Sequence, residues 1–338
     1  MIKINQKRII LFIGMIMGMT LHAQVNLKKV GQSTMNFQLV GVSPRASSMG
    51  EAFCAIGKGA ESIFFNPAGI AETSTPFDLK MSITQWIADI NYTAGALVYN
   101  GGPLGSVGLS VLVVDYGDIY ATGLLSGSES SSYPQGYKDL GLMSNIGAYS
   151  IGLTYGRAVS TQFFIGGNMR LAGQNLGTNQ FGDEKRENNA QKLVFDAGVK
   201  YYTGLRSFRF GMAIRNFASN LKREEIDEQL PILFTMGFAL DLLDFMMPEG
   251  HQKQALTLTV DFLHPNNYSE RVNAGVEYLL FDTFAFRCGY QTNRDLADWS
   301  AGLGVHKQIG KRQVTFDYSY SNFDIFDGVN RLAMGLAF

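Results

Sequence analysis

The sequence predicts an all-β protein: a transmembrane antiparallel β-barrel of about 14 strands, with an N-terminal segment folded into the lumen as a plug. Three observations carry this. From Phe77 onward, apolar and polar residues alternate with period two through segment after segment, as in strands with one face in lipid and one in a lumen. The chain ends mid-strand on an aromatic residue, Phe338, an edge that a soluble sheet would expose to aggregation. The N-terminus reads as an export signal, and no other segment is long and apolar enough to cross a bilayer as a helix. A membrane location therefore requires a barrel.

Residues 1–23 supply the address. Lys3, Lys7 and Arg8 precede an apolar run of 11 residues from Ile9 to Met19, and Leu21-His22-Ala23 follows. This is the order of a cleaved secretory signal, with the cut expected after Ala23. No Cys follows the run, which argues against a lipoprotein anchor. Removing the signal leaves 25 basic and 29 acidic residues, a balance that excludes a nucleic-acid partner. Cys54 and Cys288 are the only cysteines, too few for a disulfide scaffold. Cys54 is expected in the plug and Cys288 against lipid, with no bridge between them.

Residues 24–76 break the dyad pattern and are rich in Gly and Ser. Asn66 is a good N-cap and Pro67 suits a first helical turn, so a short helix is expected to begin at Pro67. A segment of this length ahead of a large barrel is most simply a lumenal plug, since the lumen would otherwise stand open.

The barrel is assigned to 77–338. Phe77, Leu79, Met81 and Ile83 oppose Asp78, Lys80, Ser82 and Thr84 in the first strand. The same alternation recurs in segments beginning near Ile90, Gly105, Gly147, Gln162, Gln191, Ser207, Ile232, Ala255, Arg271, Thr283, Trp299, Arg312 and Val329. An even count places both termini in the periplasm, with the longer loops outside. Stretches 117–146, 176–190 and 216–230 are long and polar where outer loops are expected. Loop 86–89 is short for an outer loop, and 242–254 is long for a periplasmic one. The apolar cluster Leu242, Leu243, Phe245, Met246 and Met247 reads either as strand continuation or as an apolar docking spot.

Nothing points to catalysis or to a cofactor. The mature histidines His251, His264 and His306 lack metal-ligand spacing, and no phosphate-loop or nucleophile-elbow pattern is present. Gly101-Gly102-Pro103-Leu104-Gly105 reads as a tight turn, Asp115 and Asp118 as turn formers, and 183–187 as a solvated loop tip. The inward faces carry more information. Lys80, Asp196, Lys200, Arg209, Arg215, Asp261, Arg271, Glu277, Arg287, Asp317 and Arg331 should all point into the lumen. Buried charges must pair or be solvated. They therefore form either a neutralising network that holds wall to plug or the lining of a polar conduit. So many charges disfavour a dedicated fatty-acid tunnel.

In the last strand, Leu332, Met334, Leu336 and Phe338 share one face. The strand resembles the terminal-Phe signature of bacterial outer-membrane barrels, which implies that Phe338 is the assembly signal. A wider resemblance spans the mature chain. Ser43-Pro44-Arg45-Ala46-Ser47-Ser48-Met49-Gly50-Glu51-Ala52, the Asn66-Pro67-Ala68 motif within Phe65–Ala71, Trp86–Tyr92 and Asp115–Ile119 carry it. On these the chain resembles the long-chain fatty acid transporter (FadL) superfamily, and within it the PorV/PorQ-like branch. The resemblance implies a non-enzymatic outer-membrane protein in contact with outer-membrane lipid. Its first implication is type IX secretion, with secretion-system or cargo proteins as partners. Its alternative is a FadL-like transporter with a hydrophobic small-molecule ligand.

Overall fold

The computed structural model describes residues 33–125, 132–143, 146–181, 184–223, 226–247, 253–294 and 298–338. The expected signal peptide and the first residues of the expected plug, 24–32, lie outside the described residues.

Fourteen antiparallel strands form one closed barrel. They are β1 (Phe77–Gln85), β2 (Asn91–Asn100), β3 (Ser106–Asp115), β4 (Gly147–Ala158), β5 (Phe163–Phe181), β6 (Glu184–Tyr202) and β7 (Arg209–Phe217). The second half holds β8 (Leu233–Asp241), β9 (Gln254–Pro265), β10 (Arg271–Leu280), β11 (Phe284–Gln291), β12 (Trp299–Ile309), β13 (Arg312–Phe323) and β14 (Phe326–Ala337). Each strand pairs with its neighbours in sequence, and β1 pairs with β14 from Asp78 opposite Ala337 to Gln85 opposite Asn330. Closure leaves no free edge, which is what the apolar C-terminal strand requires. The alternation is visible on β3, where Val107, Leu109, Val111 and Val113 are exposed while Ser106, Ser110, Leu112 and Val114 are buried. No helix among the described residues is long and apolar enough to cross a membrane.

Twelve of the expected strand starts fall within two residues of the observed ones. The strand β6 begins at Glu184 rather than Gln191, and β14 at Phe326 rather than Val329. Stretch 176–190 is thus largely strand, not loop: the β5–β6 ladder continues past a register shift between Asn175 and Thr178. Backbone pairing goes on there after the apolar alternation has ended, so the side-chain pattern alone stopped short. The other two long loops carry small hairpins, Tyr120–Gly123 with Lys138–Leu142 and Leu221–Arg223 with Ile226–Glu228. Loop 86–89 is short because Ala88 and Asp89 both take φ near +55° to +59° and Trp86 N–H donates to Ile90 O at 2.8 Å. Of the two readings of the cluster Leu242, Leu243, Phe245, Met246 and Met247, strand continuation does not hold. Leu242–Met246 is a short helix, started by the Asp241 carboxylate, which accepts from Leu243 N–H at 3.0 Å.

Residues 33–76 form four short helical turns, Asn36–Leu39, Pro44–Ser48, Gly59–Phe64 and Pro67–Glu72, packed on the inward faces of the strands. Pro44–Ser48 lies against β11, β12 and β13, and Pro67–Glu72 against β4, β5 and β6. The approach is close: a Cβ at Gly289 of β11 would lie 2.0 Å from Gly50 N. Phe53, Ile56, Ile63 and Ile70 of this segment are fully buried. Cys54 is buried, Cys288 is exposed on β11, and both are free thiols, as expected.

Candidate functional site

The inward charges join the N-terminal segment to the wall at several levels. The largest group centres on Glu277 of β10. Its carboxylate accepts from Arg45 Nε and Nη2, each at 2.8 Å, and from Arg287 Nε at 2.6 Å. Arg287 continues to Asp317 at 2.7 Å, and Lys80 reaches Asp317 at 3.3 Å and Thr315 Oγ1 at 2.7 Å. Arg45 also donates to Glu61 within its own segment at 3.0 Å. Arg287 and Asp317 are almost fully buried, so this is an interior chain of alternating charge in which each ion has partners of opposite sign.

Other inward charges act singly. Lys200 of β6 donates to Glu72 and, at 2.8 Å, to Gly57 O; Tyr202 donates to the other oxygen of Glu72. Burial pushes the Glu72 carboxyl up, but Lys200 and Lys58 beside it outweigh this and hold it below the ordinary glutamate range. Asp261 of β9 accepts from Phe53 N–H at 2.8 Å and Cys54 N–H at 2.9 Å. Arg331 of β14 donates to Gly41 O at 2.9 Å and Ser321 Oγ at 2.9 Å, and its guanidinium lies over the Trp86 ring. Arg215 donates to Phe64 O. Asp196 instead pairs along the wall, with Arg170 at 2.8 and 2.9 Å. Arg271 lies over the Tyr268 ring and Arg209 near Tyr202. Arg45, Glu61, Glu72 and Arg170 were not singled out from sequence. The first three sit in the expected plug, and charges there should have been matched against those of the wall.

The Asn66-Pro67-Ala68 motif holds the segment to β6. Asn66 Oδ1 accepts from Ala68 N–H at 3.1 Å, and Nδ2 donates to Cys54 O at 3.0 Å and Val199 O at 3.1 Å. Gly198 lies directly beneath, where a Cβ would come 2.0 Å from Asn66 Oδ1. Phe338 ends the seam: its backbone exchanges hydrogen bonds with Phe77 at 2.9 and 3.0 Å, and the two rings stack at 5.3 Å.

Two sizeable cavities flank the segment. One, of about 690 Å³, opens at the long-loop mouth and is lined by Phe37, Val40, Trp86, Tyr92, Tyr116 and Phe323, among others. The other, of about 220 Å³, opens at the opposite end and is lined by charged groups, including Lys58, Glu72, Asp78 and Lys80. Between them lie two narrow cavities of about 20 Å³ each. No cluster of His, Cys, Asp and Glu suited to a metal occurs among the described residues. Burial, with Asp261 nearby, pushes the Cys54 thiol well above its usual range, which keeps it protonated and unreactive.

No family model matches the chain, and no curated protein matches it. Solved structures do. CymD, a monoaromatic hydrocarbon channel, aligns over 89% of this chain and 98% of its own, with 12% identity and a TM-score of 0.54. The toluene transporter TodX of Pseudomonas putida aligns over 88% of this chain and 97% of its own, with 9% identity and a TM-score of 0.55. A Pseudomonas aeruginosa FadL homologue aligns over 87% of this chain with 11% identity and a TM-score of 0.49. At such identities the likeness to CymD and TodX is one of fold alone: this chain shares their barrel architecture.

Proposed function

We propose that this protein is a non-enzymatic outer-membrane channel for small hydrophobic molecules. In this reading residues 1–23 direct export, residues 24–76 act as the lumenal plug, and both termini are periplasmic. The observation that carries the reading is the cavity of about 690 Å³ at the long-loop mouth, whose lining sets aromatic rings such as Trp86, Tyr92 and Phe323 beside the charged Glu228, Arg271 and Arg294. Ligand sites are mostly apolar clefts of this size range, and here an aromatic mouth tops a lumen filled by folded chain. The fold shared with CymD and TodX, channels for a monoaromatic hydrocarbon and for toluene, points the same way. Secretion, the first implication of the sequence resemblance, has no such support. The inward charges weigh less against this reading, because many of them are bonded to the segment or to one another.

The test is uptake of radiolabelled toluene by intact cells that express the protein in their outer membrane, against the same strain carrying an empty vector. Faster toluene entry with unchanged sucrose exclusion is expected. Equal toluene entry in the two strains, with the protein present and folded, would overturn the reading.

A further inference from the structure

The four cavities form a series, and the residues they share give their order. The mouth cavity and the first narrow cavity share Val40. The two narrow cavities share Val42 and Phe64. The second narrow cavity and the inner one share Glu61 and Lys80. We propose that solute crosses along this series, from the first narrow cavity, walled by Leu112, Arg170, Asp196 and Arg215 of β3 and β5 to β7, to the second, at the seam where β1 and β14 close the barrel, and that the Phe64 ring is the gate between them. The inference rests on the channel reading above and adds to it a location, a gate and a size limit.

Register supports the location. Ser82 of β1 pairs with Ala94 of β2 on one side and Ala333 of β14 on the other. All three line the second narrow cavity. One turn of the ladder further in, Lys80 pairs with Ala96 and Gly335, and the Lys80 side chain reaches across to Thr315 and Asp317 of β13. The small side chains of Ser82, Ala94 and Ala333 thus leave room for the second narrow cavity, and Lys80, lying over Gly335, closes the wall beneath it. The wall of β10 to β13 at Glu277, Arg287 and Asp317 is instead filled by large charged side chains bonded to one another.

Phe64 suits a gate. Its ring packs against three apolar clusters of the interior yet stays half-buried, with a narrow cavity on each side. Its backbone is fixed, because Phe64 O accepts from Arg215 and the following Asn66 is triply bonded. A side-chain rotation can therefore open the constriction without moving the segment, and such rotations are fast beside uptake. As drawn, each narrow cavity of about 20 Å³ admits little more than a water. The solute that fits a single ring displacement past Val42, Phe64 and Ala94 is uncharged, flat and of about one aromatic ring.

Cells expressing Phe64→Ala and Ala94→Phe are compared with wild type for uptake of labelled toluene and labelled naphthalene. Quenching of Trp86 fluorescence by toluene, in a Trp299→Phe background, reports occupancy of the mouth. Phe64→Ala should raise toluene entry about tenfold, the effect of a barrier lower by about 1.4 kcal/mol, and admit naphthalene. Ala94→Phe should slow toluene about tenfold while quenching stays unchanged. If wild type carries toluene and Phe64→Ala alters neither its rate nor the naphthalene-to-toluene ratio, the route lies elsewhere and this inference fails while the channel reading stands. If wild type carries no toluene, the channel reading itself fails. Should Ala94→Phe not reach the membrane folded, as read by heat-modifiable mobility, Phe64→Ala decides alone, since it only removes atoms.

Discussion

Replacing Glu277 with Gln tests whether the interior charge chain is what fastens the N-terminal segment. Three positive groups, Arg45, Arg287 and Lys80, face three negative ones, Glu61, Glu277 and Asp317. The substitution leaves one positive charge in excess and replaces one carboxylate oxygen by a donor aimed at a guanidinium. Breaking a buried pair by removing one partner costs about 3–5 kcal/mol. Arg45 is 23% exposed and keeps Glu61, and Arg287 keeps Asp317, so the lower end, about 3 kcal/mol, is expected. The assay is urea unfolding of the barrel in lipid vesicles, followed by tryptophan fluorescence and heat-modifiable mobility. Adding Arg45→Met should restore at least about 1 kcal/mol, because the double variant no longer strands a cation. A loss under about 1 kcal/mol, or strict additivity with Arg45→Met, would refute the reasoning.

Three more outcomes follow from the same geometry. Asn66→Ala removes a cap bond and two bonds that reach Cys54 O and Val199 O, so at about 1 kcal/mol each it should cost about 3 kcal/mol in the same urea assay; a loss near 1 kcal/mol would leave the cap as its only role. Deleting Phe338 removes the last backbone pair and ring contact with Phe77 and should lower the yield of inserted barrel, while the inserted fraction unfolds near the wild-type midpoint; unchanged yield would count against an assembly role. Glu72 has its folded-state carboxyl held below the ordinary value, so it contributes stability that is full above the unfolded value of about 4.3 and lost as pH falls through the folded one. Wild type should therefore lose more stability than Glu72→Gln as pH drops below about 4, and parallel acid profiles would exclude the Lys200–Glu72 pair as a fastening.

The barrel was legible because each wall residue answers to lipid on one side and lumen on the other, a constraint that writes itself into alternate positions. The strand starts from Phe77 to Arg312 follow it closely, and β6 departs only where the ladder runs on through polar residues from Glu184. The inward position of Asp196, Lys200, Asp261, Glu277, Arg287, Asp317 and Arg331, all buried, follows from the same alternation. Their partners did not. Arg45 with Glu277, and Lys200 with Glu72, join residues 232 and 128 positions apart, and no local period connects them. Leu242–Met246 was misread because five residues of helix around Asp244 and a broken strand end have the same apolar content; the Asp241 cap was the signal to use.

For the lumen, the alternation left two readings open. Inward charges allowed either a neutralising network that holds wall to plug or a polar conduit, and the structure shows many of them bonded to the segment or to one another. A segment that must stay seated in a wide barrel needs strong, specific attachment, and paired charges supply it where apolar contact alone would leave the register loose. Once Glu277 and Lys200 are each covered by a residue of the segment, they are withdrawn from the passage. What remains uncovered is the side without such anchors at mid-depth, the small residues Ser82, Ala94 and Ala333 facing Phe64 and Val42. The charges thus set which side of the lumen is closed. On the proposed channel reading, the mouth cavity and the small residues Ser82, Ala94 and Ala333 mark the side left for an apolar solute.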